Sequence, residues 1–173
     1  MKRSLVLLYG VLNYVLFLGV FLYLLGWIGG FVVPTKLDAQ GESSLGVALV
    51  VDTLLILLFG LQHSVMARPG FKRWWTQYVP QPIERSTYVL AANLALLVMF
   101  WQWRPLGGAI WNVEAPAGRA ALWGLFALGW LTVLATTFLI NHFDLFGLRQ
   151  VWLYFRGRPY TSLSFVTPGP YRF

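Results

Sequence analysis

Four stretches of this sequence carry no charged side chain or almost none: Ser4 to Val33, Ser43 to Ala67 with Asp52 as its single exception, Ser86 to Trp103, and Ala120 to Phe143. An α-helix rises about 1.5 Å per residue, so even the shortest run covers roughly 27 Å, close to the hydrocarbon thickness of a bilayer. Lipid offers no partner for backbone N–H and C=O groups, and a helix satisfies them within its own segment. The runs predict an all-α fold: one integral-membrane domain whose four transmembrane helices span about residues 4–33, 43–67, 86–103 and 120–143. Residues 144–173 follow as a cytoplasmic C-terminal segment, a helix extension from Leu145 to about Phe155 and then a turn-rich tail. Only 11% of residues are charged, too few to cover a soluble globule. The residues left outside the spans cannot build a complete Rossmann, P-loop or hydrolase domain, so any chemistry must use helix ends and short loops.

Lys2 and Arg3 before an apolar run resemble the start of a signal peptide, but the run is too long for one and no small-residue cleavage site closes it. Lys and Arg then alternate between loops: two at the N-terminus, one in Pro34 to Glu42, four from Arg68 to Arg85, two from Arg104 to Arg119, and four after Asp144. Ten lie on one side and three on the other. The positive-inside rule places both termini and the Arg68 to Arg85 loop in the cytoplasm. The formal charge of +7 comes from these boundary residues and not from a basic stripe interleaved with stacking aromatics, which argues against a nucleic-acid partner. Phe71 to Tyr78, rich in Trp and next to Lys72 and Arg73, reads as a short interfacial helix. Gly26 with Gly30, and Ala120 with Gly124, are small-residue pairs of the kind that let spans approach one another.

The chain has no cysteine, which removes thiolate nucleophiles, cysteine metal sites and disulfides. The polar residues within apolar runs are therefore few. Asp52 reads as a helix-start carboxylate reaching water, Glu84 as a carboxylate at a helix N-terminus, Arg85 as a snorkelling cation and Asn93 as interhelical hydrogen-bond glue. His63 ends the second span, and His142 ends the fourth between Asn141 and Asp144, so both histidines arrive at the cytoplasmic leaflet. Three readings follow. The pair could hold a haem or a metal, in a redox or accessory membrane protein; at least one could handle a proton near neutral pH; or each could simply bond a neighbouring carbonyl.

The strings Leu61-Gln62-His63-Ser64-Val65-Met66-Ala67-Arg68, Glu84-Arg85-Ser86-Thr87-Tyr88, Asn141-His142-Phe143-Asp144-Leu145-Phe146-Gly147 and Gly169-Pro170-Tyr171-Arg172 together resemble bacterial methanethiol S-methyltransferases. These are membrane enzymes similar to the isoprenylcysteine carboxyl methyltransferases, and the first half also looks like a nitrite and nitric-oxide reductase-associated membrane family. The resemblance covers essentially the whole chain. It implies methyl transfer from S-adenosylmethionine to a small thiol, methanethiol, giving dimethyl sulfide, with no resident metal. In that family Gly-Pro-Tyr-Arg leads into an Arg-His-Pro-x-Tyr-x-Gly cofactor motif, and the chain stops at Phe173 before it. The resemblance therefore marks an N-terminal fragment, expected to bind the donor weakly or not at all by itself.

Thiol methylation needs the thiolate, and a thiol is mostly protonated at neutral pH. His142 is the first candidate for removing that proton, with Asp144 beside it to orient the ring or raise its basicity. His63 is the second, because Arg68 five residues on would weaken it as a base. The residues first in line to touch the methyl donor are Arg149, Gln150, Tyr171 and Arg172.

Overall fold

The computed structural model describes residues 2–108, 111–161 and 163. The described residues are all helical apart from turns and loops. In chain order the helices are α1 (Arg3–Gly29), α2 (Leu45–Met66), α3 (Pro69–Trp75), α4 (Gln81–Gln102), α5 (Pro116–Ile140), α6 (His142–Leu145) and α7 (Leu148–Phe155). Four of them, α1, α2, α4 and α5, are long and apolar enough to cross a membrane. This is an integral membrane protein.

The ends of the spans are set by local chemistry. α1 stops at Gly29 because Gly30 turns into the left-handed region, φ 71°, where a side chain is disfavoured. α4 begins five residues before the apolar run, with Pro82 in its first turn and Glu84 close to the exposed N–H groups, as the helix dipole favours. α5 starts at Pro116 and ends before His142, not after it.

α4 is the centre of the bundle, packed against α1, α2 and α7. Tyr9 bonds Thr87 at 3.1 Å, Tyr23 lies 4.7 Å from Phe100 and Trp27 lies 5.2 Å from Trp103, so α1 and α4 run parallel. His63 meets Tyr88 while Asp52 meets Arg104, so α2 runs antiparallel to α4. Phe31 against Trp123, Phe21 against Trp130 and Tyr14 against His142 make α5 antiparallel to α1. The apolar core of Val20, Trp27, Leu55, Met99 and Phe100 fills one end of this bundle, and the histidines lie at the other.

Several sequence-based expectations change. The extension after Asp144 is not one helix: it breaks at Phe146-Gly147, and α7 folds back against α1 and α4. Val151 is fully buried where a Cβ on Gly10 would come within 2.5 Å of its methyl groups, so the missing side chain of Gly10 is what admits α7. The space at Gly26 is filled by Phe31 and Val33 of the returning loop, not by a second helix, and nothing lies within 4 Å of Gly124. Asp52 does not reach water; it is buried and accepts the Arg104 backbone N–H at 2.9 Å, holding the end of α4. Asn93 is buried, and its Nδ2 finds no partner among the described residues. The interfacial element is shorter than expected, with the helix α3 ending at Trp75 and turns following it.

Gly147 (φ 86°) fixes where α7 starts: a Cβ there would sit 2.6 Å from Ser86 Oγ and 2.8 Å from Ser86 N, and Ser86 is fully buried. Gly147→Ala is expected to lower stability by at least about 1–3 kcal/mol from the backbone strain alone. Gly124→Ala, in open space, should be neutral. Thermal unfolding of both variants in the same detergent checks the difference.

Candidate functional site

α5 ends because Asn141 leaves the helical path, with φ 123° and ψ 86°. Asparagine tolerates positive φ better than most residues, and its Oδ1 accepts the Asp144 N–H at 3.2 Å to start α6. The kink turns the next side chain inward. His142 is only 3% exposed, although it follows a helix that has no buried residue.

The imidazole lies in an aromatic cage. It stacks on Phe138 at 4.2 Å and 5° between planes, with Tyr14 edge-on at 5.6 Å and Phe146 at 4.8 Å. Both ring nitrogens are bonded: Nδ1 to Thr137 Oγ1 at 2.7 Å, and Nε2 to Tyr14 Oη at 2.7 Å. Thr137 has a single hydroxyl proton, and that proton goes to the Leu134 carbonyl at 2.7 Å. Thr137 Oγ1 therefore accepts from His142 Nδ1–H, which leaves Nε2 as the bare, basic nitrogen accepting from the Tyr14 hydroxyl. Burial holds the His142 pKa below the ordinary histidine range, so the ring is neutral at pH 7.

Asp144 does not orient this ring; Tyr14 and Thr137 do. Its carboxylate takes Arg149 at 3.0 Å and the Tyr160 hydroxyl at 3.2 Å, and its backbone carbonyl accepts from Gln150 Nε2 at 3.3 Å. Arg149 also donates to the Thr161 carbonyl at 3.0 Å and lies 5.3 Å over the Tyr160 ring. Asp144 is thus the hub that ties the segment after α7 back to α6. Burial, and then the Asp144 carboxylate, raise the Tyr160 pKa, so that hydroxyl keeps its proton and donates it.

His63 occupies the same end of the bundle but another neighbourhood. Its Nδ1 bonds Tyr88 Oη at 3.0 Å, and its ring stacks with Phe59 at 5.4 Å. Among the described residues the two histidines have no hydrogen-bond or ring partner in common. Arg85 links their surroundings: its guanidinium lies 4.7 Å over the Tyr88 ring, and its Nε donates to the Leu145 carbonyl at 2.7 Å, at the end of α6. It is a clamp on that turn and does not snorkel. Tyr171 and Arg172 lie outside the described residues.

Sequence reasoning singled out His142 and Asp144 but not the hydroxyls the structure sets against them, Tyr14 and Thr137 on His142 and Tyr160 on Asp144. Tyr14 and Thr137 could have been found by asking which hydroxyls a helical period places at the depth of His142. Among the described residues no group of three or more His, Asp or Glu side chains could hold a metal. With both nitrogens of His142 already bonded, the haem or metal reading is not favoured. A cleft of about 460 Å³ opens at the opposite end of the bundle between Ile28, Gly29, Asn112, Arg119, Trp123 and Phe126. It holds no histidine or carboxylate.

The chain is 55% identical to a methanethiol S-methyltransferase of Mycobacterium tuberculosis over 172 residues, which is 99% of this chain and 70% of that protein. It is 53% identical to a methanethiol S-methyltransferase of Crocosphaera subtropica over 173 residues, all of this chain and 68% of that protein. This chain belongs to the methanethiol S-methyltransferase family. Mouse nurim is a more distant relative, 35% identical over 129 residues, covering 70% of this chain and 48% of nurim. No protein-family model matches the sequence, and no solved structure matches it. Within the methanethiol S-methyltransferase family the enzyme class is a membrane thiol methyltransferase.

Proposed function

We propose that the protein transfers a methyl group from S-adenosylmethionine to methanethiol, forming dimethyl sulfide, at the end of the bundle that holds His142. The observation that carries this reading is the identity over essentially the whole chain to proteins named for that reaction. The site supports it chemically. A neutral imidazole at the end of a membrane span is suited to take the proton of a small apolar thiol that partitions into lipid. Aromatic side chains around it exclude water, which keeps a thiolate reactive.

The donor supplies an electrophilic methyl on a sulfonium, together with an α-carboxylate and an ammonium that need opposite charges. Arg149 and Asp144, both partly accessible, fit those two groups. Gln150 Oε1, buried without a donor among the described residues, fits a further N–H. These residues would hold and align the donor, and in-line alignment with the thiolate would supply much of the remaining catalysis. Tyr171 and Arg172 complete the candidate set. Cells expressing the protein from its full coding sequence and fed methanethiol should release dimethyl sulfide into the headspace. Release no greater than in cells carrying the empty vector would contradict the proposal.

We also place both termini, and this site, on the cytoplasmic side from the segregation of Lys and Arg, in a bacterial inner membrane by the likeness to bacterial relatives. With no native cysteine, single cysteines at Gln77 and Asn112 report the topology cleanly. Asn112→Cys should label from outside intact spheroplasts with an impermeant thiol reagent, and Gln77→Cys only after permeabilisation. Labelling of both from outside would overturn the orientation.

A further inference from the structure

His142 is well placed as a base but poorly placed to meet a substrate. Its ring is 3% exposed, one face is covered by Phe138, and Nδ1 is committed to Thr137. The basic nitrogen, Nε2, is occupied by the Tyr14 hydroxyl at 2.7 Å. Tyr14 is only partly buried. A thiol arriving from the bilayer therefore meets the tyrosine before it meets the imidazole.

We propose that Tyr14 relays the substrate's proton to His142, so that the base of this enzyme is a Thr137–His142–Tyr14 unit and not a free imidazole. This rests on the thiol-methylation reading above. In the step, the thiol S–H bond breaks and its proton forms a new O–H bond on Tyr14. The original Tyr14 proton passes to His142 Nε2 in the same movement. The electron pair of the S–H bond stays on sulfur, giving a thiolate beside a neutral tyrosine, and the positive charge resides on His142. The imidazolium keeps its Nδ1–H on Thr137 and donates Nε2–H back to Tyr14 Oη, so both its protons have acceptors. The positive charge stays one hydrogen bond removed from the thiolate, close enough to stabilise it until methyl transfer.

The surroundings keep other charges out of the exchange. From α6, Asp144 is taken by Arg149 and Tyr160; from α4, Arg85 is held on the Leu145 carbonyl; from α5, Thr137 contributes only a hydroxyl. Phe17 and Phe146, stacked at 3.8 Å, are apolar neighbours of Tyr14.

The test compares Tyr14→Phe with Tyr9→Phe on the same helix, which removes a hydroxyl bonded to Thr87 of α4. Methyl transfer to methanethiol is followed from neutral pH towards the thiol's own pKa, in protein expressed from the full coding sequence. Tyr14→Phe should lower kcat/KM at neutral pH by about 10²-fold, the low end for a positioned acid–base group, and the deficit should close as pH rises and the thiolate forms unaided. Tyr9→Phe should track the wild type. In parallel, ¹⁵N shifts of ring-labelled histidine, with His142→Gln to identify the resonances of that ring, should show His142 protonated at Nδ1 in both the wild type and Tyr14→Phe. Wild-type rates in Tyr14→Phe, a loss that does not change with pH, or an Nε2–H tautomer in the wild type would each overturn the relay while leaving thiol methylation intact. A wild-type protein that transfers no methyl group would overturn the proposed function and the relay with it.

Discussion

His142→Ala is expected to reduce methanethiol turnover at neutral pH by about 10²- to 10⁴-fold, the usual contribution of a positioned base. The imidazole lies at the end of an apolar helix, neutral and bonded on both nitrogens, and no other described residue in its aromatic cage has a basic group to replace it. The pH dependence has a definite sign. Burial holds the His142 pKa below the ordinary histidine range, so the neutral base persists at pH values where an exposed histidine would already be protonated. Wild-type activity should therefore fall on acidification only below that ordinary range. The deficit of His142→Ala should shrink as pH rises towards the thiol pKa. Initial rates across pH for the two proteins check both statements, and a deficit independent of pH would make the role of His142 structural.

The second large effect is expected at Asp144. Its carboxylate is the common partner of Arg149 and Tyr160, and through Arg149 it reaches the Thr161 carbonyl. Asp144→Ala removes both contacts of that carboxylate. Arg149 loses its anion, and the segment after α7 is tied to α6 by one strong link fewer. The Asp144 carboxylate bonds Arg149 and Tyr160 and the His142 ring bonds Tyr14 and Thr137, so proton transfer should be largely spared. The expected result is a rise in KM for the methyl donor of about 10- to 100-fold, the scale of removing a partner that orients a ligand-holding residue, with a smaller change in kcat. Steady-state kinetics with the donor varied at saturating thiol separate the two parameters. His63→Gln, which alters a histidine bonded to Tyr88 away from the cage, should change neither by more than a few-fold.

The spans were legible because lipid imposes one rule on every residue: a charge-free run of sufficient length must be a helix. Their order and pairing were less so. α7 could not be read as a bundle element, since eight residues after a polar turn carry no span signal; its place depends on the absent side chain of Gly10 and the positive φ of Gly147. Asp52 misled for a related reason. Its partner is a backbone N–H fifty-two positions away, and no local pattern announces a contact with main chain. His142 was visible as an imidazole at a span end, but its tautomer depends on Thr137, one helical turn back, whose own proton goes to Leu134. Tyr14 was hidden among ordinary aromatic residues of α1. It lies well inside α1 (Arg3–Gly29) and not at an interfacial end of it, so only the three-dimensional pairing distinguishes this one.

Methyl transfer itself is the quantity to measure. Protein made from the full coding sequence, purified and reconstituted in lipid vesicles, is supplied with methanethiol and S-adenosylmethionine isotopically labelled in its methyl group. The dimethyl sulfide formed is analysed by mass spectrometry. The expected product carries one labelled methyl and one unlabelled methyl, forms in proportion to enzyme, and is nearly abolished by His142→Ala at neutral pH. Dimethyl sulfide without label, or no product above vesicles lacking the protein, would contradict the assignment of this helix-end site to thiol methylation.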